Sequence, residues 1–149
     1  MMVVLIQIAI GTGLLLACAL VHILVVVSSI PVLQRIARHY PDKQMLRRNF
    51  AVFGATVLTL LFAHTLQIWA WAALFWVADE FPDFGTSFYF STVTYTTLGY
   101  GDVVLETPMR FVATFAAVTG LLTFGISTAV LVGVLGRMLP DDIRRKPGS

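Results

Sequence analysis

The sequence predicts an all-α membrane protein, with three membrane-crossing helices and a short re-entrant segment between the last two. Three observations predict it. Of 149 residues, 58% are hydrophobic and only 12% are charged, and mean hydropathy is +0.85. Soluble domains carry about 25% charged residues, and a soluble fold of this length has too little interior for so many apolar side chains. Three uncharged runs each reach the ~20 residues needed to cross a hydrocarbon core. Finally, basic and acidic residues alternate between successive connections although net charge is only +2. The chain is short enough for one unit, and its single cysteine, Cys18, excludes an intrachain disulfide. Cys18 reads as a small apolar helix residue.

The first span, residues 3–27, reads VVLIQIAIGTGLLLACALVHILVVV. Its GLLLA stretch, Gly13 to Ala17, has the small-xxx-small spacing that permits close helix packing, so this face is expected to dock. Pro31 then opens PVLQRIARHY, residues 31–40. Val32, Leu33, Ile36 and Tyr40 share one helical face opposite Arg35, Arg38 and His39, which predicts a separate interfacial helix. Arg35 and Arg38 lie outside the apolar span and read as surface anchors rather than a voltage sensor. YPDKQ, residues 40–44, is a turn. The second span covers residues 51–78, with Trp69, Trp71 and Trp76 in one half and Trp76 suited to the interfacial belt. The third covers residues 111–136.

Charge sets the expected orientation. Arg35, Arg38, Lys43, Arg47 and Arg48 follow the first span, and Arg137, Arg144, Arg145 and Lys146 follow the third. The connection between the second and third carries Asp79, Glu80, Asp83, Asp102 and Glu106 against Arg110 alone. The positive-inside rule places the basic connection and the C-terminus in the cytoplasm, and the N-terminus and the acidic connection outside.

That acidic connection, residues 79–110, begins and ends on one side. Pro82 and Asp83 mark a helix start, with Asp83 as N-cap, and FGTSFYFSTVTY supplies about three turns ending near Thr96. A helix entering from outside points its partially negative C-terminus toward the membrane centre, where it favours a cation. TYTTLGYGD, residues 94–102, follows. Gly99 and Gly101 reach left-handed backbone angles without steric penalty. Alternating left- and right-handed residues aim successive carbonyls to one side, so Thr97, Leu98, Gly99 and Tyr100 present a row of C=O groups, with the Thr97 hydroxyl below. Oxygen rings without a carboxylate suit a dehydrated monovalent cation, whereas a divalent site uses acids. Non-helical backbone at membrane depth must be buried in protein or line a wet cavity.

Thr97-Leu98-Gly99-Tyr100-Gly101, between Thr96 and Asp102, resembles the potassium-channel selectivity filter, a system whose carbonyl-lined pore is already well established. The resemblance covers residues 50–138 and implies an outer helix, a pore helix, a filter and an inner helix. It implies K+ bound at Thr97, Leu98, Gly99 and Tyr100, and a homotetramer, since each chain supplies one of four filter strands. Thr96 and Thr97 occupy the paired-threonine position. The resemblance also implies Gly120 at the inner-helix hinge, with Leu121, Phe124, Thr128 and Val132, which share one helical face, lining the cavity and gate; helix–helix packing is the alternative for that stripe. Many bacterial members have glutamate where this chain has Val93, and tryptophans where it has Tyr89 and Phe90. The Tyr89 hydroxyl is then expected to hold Asp102, and Thr94 the Tyr100 hydroxyl, while Phe90 packs without donating. The resemblance also implies a bacterial cytoplasmic membrane.

Residues 1–30 are extra to a two-helix pore, residues 31–49 form a basic cytoplasmic segment, and residues 139–149 a short tail. The thirteen residues after Gly136 are too few for a nucleotide- or calcium-binding regulator, so gating is expected from the membrane, the pore, pH or a partner. His22 and His64 lie within spans, where ionisable groups are functional candidates: either a neutral interhelical network with Gln67, or a pH sensor. Counted from the span ends they differ in depth, so direct pairing is not expected. The function expected is passive, potassium-selective conduction, with no enzyme activity, no cofactor beyond the permeant K+, and no nucleic-acid partner. Anionic lipid is a candidate partner along residues 35–48. A weakly selective cation channel and a non-conducting pore-like subunit are the alternatives.

Overall fold

In the computed structural model, residues 1–41, 44–105 and 109–138 are described. They form four helices: α1 (Met2–His39), α2 (Met45–Val77), α3 (Phe84–Tyr95) and α4 (Arg110–Met138), with no strand among the described residues. Helices α1, α2 and α4 are each long and apolar enough to cross a membrane. The short α3 lies between α2 and α4, and α1 packs on α2 and α4 with no close backbone approach to α3. The three spans and the re-entrant helix are therefore as expected. The centre of the 40–44 turn and the 139–149 tail fall outside the described residues.

The interior is inverted relative to a soluble bundle. Gln7, His22, Thr56, His64, Gln67, Thr119, Thr123 and Ser127 are buried, while Leu5, Leu16, Leu20, Leu24, Leu58 and Leu61 are exposed. Water would drive the leucines inward. Hydrocarbon leaves them outside and directs polar groups toward one another. With the three spans, this makes the chain an integral membrane protein.

Two expectations about α1 are corrected. The interfacial helix at 31–40 is not separate: α1 runs unbroken to His39 with Pro31 inside it. Proline removes one backbone donor, but the surrounding apolar residues have no better way to satisfy their backbone in a membrane than by remaining helical. The docking face is also not Gly13–Ala17. Gly13 has no neighbour within 4 Å of where a Cβ would lie, and α1 instead buries Gln7, Gly11, Cys18 and His22. Gly11 is the close-packed position, because a Cβ there would overlap the Phe115 ring of α4.

Helix α3 starts as its sequence dictates. Asp83 caps it, with Oδ1 accepting the Thr86 N–H at 2.9 Å and Oδ2 the Thr86 hydroxyl at 2.7 Å. These bonds, the hydroxyl's first, hold the Asp83 carboxyl below its usual range. An aromatic cluster anchors the same end: Phe84 lies 5.4 Å from Trp69 and 5.8 Å from Trp76, ring centre to ring centre. Trp69 and Trp76 are half exposed, whereas Trp71 is fully buried against Phe75.

Candidate functional site

Both helices that end in the connection close with the same device. After α2, Asp79 takes φ 60°, its N–H donates to Trp76 O, and the Glu80 N–H donates to Phe75 O. After α3, Thr97 takes φ 60°, its N–H donates to Thr94 O at 2.9 Å, and the Leu98 N–H donates to Val93 O at 3.0 Å. This is the Schellman pattern, in which the left-handed residue is usually glycine. Aspartate tolerates that conformation, but for a β-branched residue it is an outlier.

The left-handed angle recurs at Gly99 (φ 57°) and Gly101 (φ 78°), while Leu98 and Tyr100 keep negative φ. The alternation expected from the glycines is present, and it begins one step earlier, at Thr97. The Gly99 N–H also turns back to Val93 O, at 3.3 Å. The amides of Thr97, Leu98 and Gly99 thus point behind the strand. Among the described residues, none donates to the carbonyls of Thr97, Leu98, Gly99 or Tyr100. Residues 96–102 are all exposed on the single chain.

Behind the strand, the Tyr89 hydroxyl donates to Asp102 Oδ2 at 2.6 Å, and the Val103 N–H donates to Oδ1 at 3.0 Å. The Tyr89 bond chiefly holds the Asp102 carboxyl below its usual range. Phe90 is buried against Phe75 and Phe81 and Val93 is buried, so neither supplies a second polar partner. Thr94 and Tyr100 make no hydrogen bond to each other within the chain. Thr96 Oγ1 caps backward onto Thr92 O at 2.8 Å.

Gly120 is a point of contact. A Cβ there would overlap the Tyr95 carbonyl oxygen, so α4 touches the end of α3 backbone to backbone. Leu121, Phe124, Thr128 and Val132 are all exposed on the chain, although the Thr128 hydroxyl donates within its own helix to Phe124 O. Phe124 also covers His64, with ring centres 4.5 Å apart.

The two histidines are paired, contrary to the depth count: their ring centres are 5.0 Å apart. They belong to a buried circuit. Gln67 Nε2 lies 2.8 Å from His22 Nδ1 and donates to Ala63 O, which orients the amide. His22 Nε2 is 3.2 Å from Ser127 Oγ, and Ser127 Oγ is 2.9 Å from His64 Nε2. His64 Nδ1 is 2.7 Å from Tyr95 Oη, which donates to Gln67 Oε1 at 3.2 Å. Every member can donate in one rotational sense: Gln67 to His22, to Ser127, to His64, to Tyr95, and back to Gln67. Both imidazoles are satisfied uncharged. Thr123 Oγ1 completes the surroundings of Tyr95 Oη at 2.7 Å. Tyr95, Thr123 and Ser127 were not singled out from sequence, although Thr119, Thr123 and Ser127 repeat every four residues on one face of a largely apolar helix.

Among the described residues, no three His, Cys, Asp or Glu side chains are placed to hold a metal ion. No curated protein and no solved structure matches the chain. A family model described as an ion channel matches residues 55–137, from early in α2 through α3 and the signature strand to the end of α4, more than half of the chain. This family is of two-helix channels and includes potassium-channel pore domains. The chain belongs to the ion channel family.

Proposed function

We propose that the protein is a subunit of a potassium-selective channel, acting as a homotetramer whose residues 97–101 form the filter. The observation that carries this is the row of four consecutive carbonyls that accept no hydrogen bond among the described residues, while the amides of Thr97, Leu98 and Gly99 turn away behind them. An unpaired backbone carbonyl in hydrocarbon costs several kcal/mol. Four in sequence, between two membrane helices, make physical sense when they face an ion or water on a shared axis. Closed cyclic symmetry supplies that axis and surrounds the exposed strand and the Leu121, Phe124, Thr128 and Val132 stripe.

Conduction follows from spacing. Sites one residue apart lie ~3.3 Å from each other. Two K+ ions in alternate sites, ~6.6 Å apart, repel by roughly 2.5 kcal/mol at an effective dielectric of 20. That offsets tight carbonyl coordination and lets ions leave. The basic connection and the C-terminal end of α4 face the cytoplasm.

The test is the reversal potential of the purified protein in liposomes under opposed K+ and Na+ gradients. K+ preference that is abolished by Gly99→Ala, where φ is 57°, supports the reading. Equal permeability supports the weakly selective alternative, which is favoured by there being, among the described residues, one bond between side chains behind the strand, Tyr89 to Asp102. No flux in any condition supports a non-conducting subunit.

A further inference from the structure

We propose that α1 positions the base of the filter strand through the Gln67–His22–Ser127–His64–Tyr95 circuit, a role that rests on the channel reading above. Helix α1 makes no close backbone approach to α3, although Cys18 shares a buried apolar cluster with Tyr95. Its hydrogen-bonded route to the strand is His22, which meets Gln67 of α2 and Ser127 of α4. Those two, with His64, lead to the Tyr95 hydroxyl.

Tyr95 is the last residue of α3, two before Thr97. It is held at both ends, its hydroxyl in the circuit and its carbonyl against Gly120. The left-handed angle at Thr97 depends on the Thr97 and Leu98 amides finding Thr94 O and Val93 O, so a small rotation of the last turn of α3 removes those acceptors. A strained residue persists only where its surroundings over-determine it, and the circuit supplies that determination from three membrane helices at once. Because every member donates in the same sense, deleting one leaves a buried donor and a buried acceptor unmet on either side of the gap. His22, Gln67, His64 and Ser127 are thus positioning residues acting through Tyr95.

The experiment compares wild type with Ser127→Ala, Tyr95→Phe, His22→Leu and His22→Gln, each as the full chain in liposomes. Size-exclusion chromatography and thermal melting are run beside the bi-ionic reversal potential. Ser127→Ala and Tyr95→Phe change volume little and keep the test open if His22→Leu does not assemble. The three circuit-breaking variants are expected to lose about tenfold in K+/Na+ permeability ratio, a shift of ~59 mV for a monovalent ion. His22→Gln, which keeps an acceptor and a donor, restores part of it. Assembled Ser127→Ala and Tyr95→Phe with lowered melting temperatures and an unmoved reversal potential overturn the inference. A wild type without K+ preference overturns the channel reading instead.

A separate observation carries a second inference: we infer that the cavity between the ends of α1, α2 and α4 holds one anionic phospholipid. The cavity, an open groove, has a volume of about 490 Å³, within the range of ligand sites. Its walls include Val26, Ile30, Val52 and Val130, together with the polar Gln34 and Asn49 and the basic Arg48 and Arg137. The hydroxyls among the walls donate within their own helices, Ser29 to Val26 O, Thr56 to Val52 O and Thr59 to Ala55 O, which leaves the valine and isoleucine walls apolar. An acyl chain fits the walls and a phosphate fits two guanidinium groups. This narrows the anionic-lipid expectation for residues 35–48 to Arg48, joined by Arg137 of α4.

Native mass spectrometry of detergent-extracted protein, purified from vesicles of phosphatidylcholine with or without phosphatidylglycerol, tests it. Retained phosphatidylglycerol is expected to fall about tenfold in Arg48→Gln/Arg137→Gln, the scale of lost charge-assisted contacts, and also in Gly133→Leu, which fills the cavity from a wall position open in the structure. Retention unchanged in either variant overturns the inference.

Discussion

At Thr97 the chain places a β-branched residue in the left-handed region, at a position where glycine is the easy choice. The conformation costs roughly 1–2 kcal/mol. Thr97→Gly is therefore expected to raise the melting temperature of the assembled protein slightly while weakening K+ binding through loss of the hydroxyl, which calorimetric K+ titration reads directly. At Gly120 the constraint is space. Gly120→Ala forces a Cβ into the Tyr95 carbonyl, an overpacking cost of about 1–3 kcal/mol or more, whereas Gly125→Ala meets nothing within 4 Å and should melt near wild type. At Asp102 the Tyr89 hydroxyl favours the ionised carboxylate. A carboxyl whose folded value is depressed contributes stability above the ordinary carboxylate range, and that contribution is lost as pH falls through the folded value. Open-channel lifetime should thus be flat through mildly acidic pH and fall only in strong acid. Tyr89→Phe, tested at neutral pH, should shorten it.

Among the elements, α1 separates what was legible in the sequence from what was not. Span lengths, the Asp83 cap and the end of α3 near Thr96 could be read because each rests on local chemistry: apolar run length, a side-chain acceptor, a glycine pair. The union of residues 31–39 with α1 was obscured by Pro31, a local breaker that loses to the need for a satisfied backbone. The same proline makes His22 look closer to the end of its helix than it is. With α1 running Met2–His39, His22 is the 21st of 38 residues, and His64 is the 20th of 33 in α2, so both lie near mid-helix and meet. The circuit joins residues from four helices, and no spacing along one chain segment reveals that. The docking of α1 should be sensitive at Gly11, not Gly13. Gly11→Leu meets the Phe115 ring and should lower the melting temperature as overpacking of about 1–3 kcal/mol does, while Gly13→Leu, with open space around it, should not.

For the whole molecule, the proposed tetramer bears on what the single chain leaves exposed. The exposed residues 96–102 and the stripe of Leu121, Phe124, Thr128 and Val132 are covered or made functional by neighbouring copies under the proposed symmetry. In a Cys18→Ser background, Thr128→Cys should react with a water-soluble thiol reagent applied from the cytoplasmic side and block flux. Leu58→Cys, on an exposed leucine of α2, should not block. Membership of the ion channel family was legible in the motif, whereas the proposed selectivity depends on how firmly the strand is held, a property of packing that the motif does not encode.

The uninterrupted α1 has a further consequence, because a rod has a length. Thirty-eight helical residues extend about 57 Å at 1.5 Å each, nearly twice the ~30 Å of a hydrocarbon core. Such a rod tilts in a thin bilayer and stands more upright in a thick one. With His22 near its middle, changes of tilt act on the pivot while the ends swing. Lipid chain length then becomes a variable: channel opening measured in vesicles of short- and long-chain phosphatidylcholine should differ, and shortening α1 below Pro31 should flatten that difference.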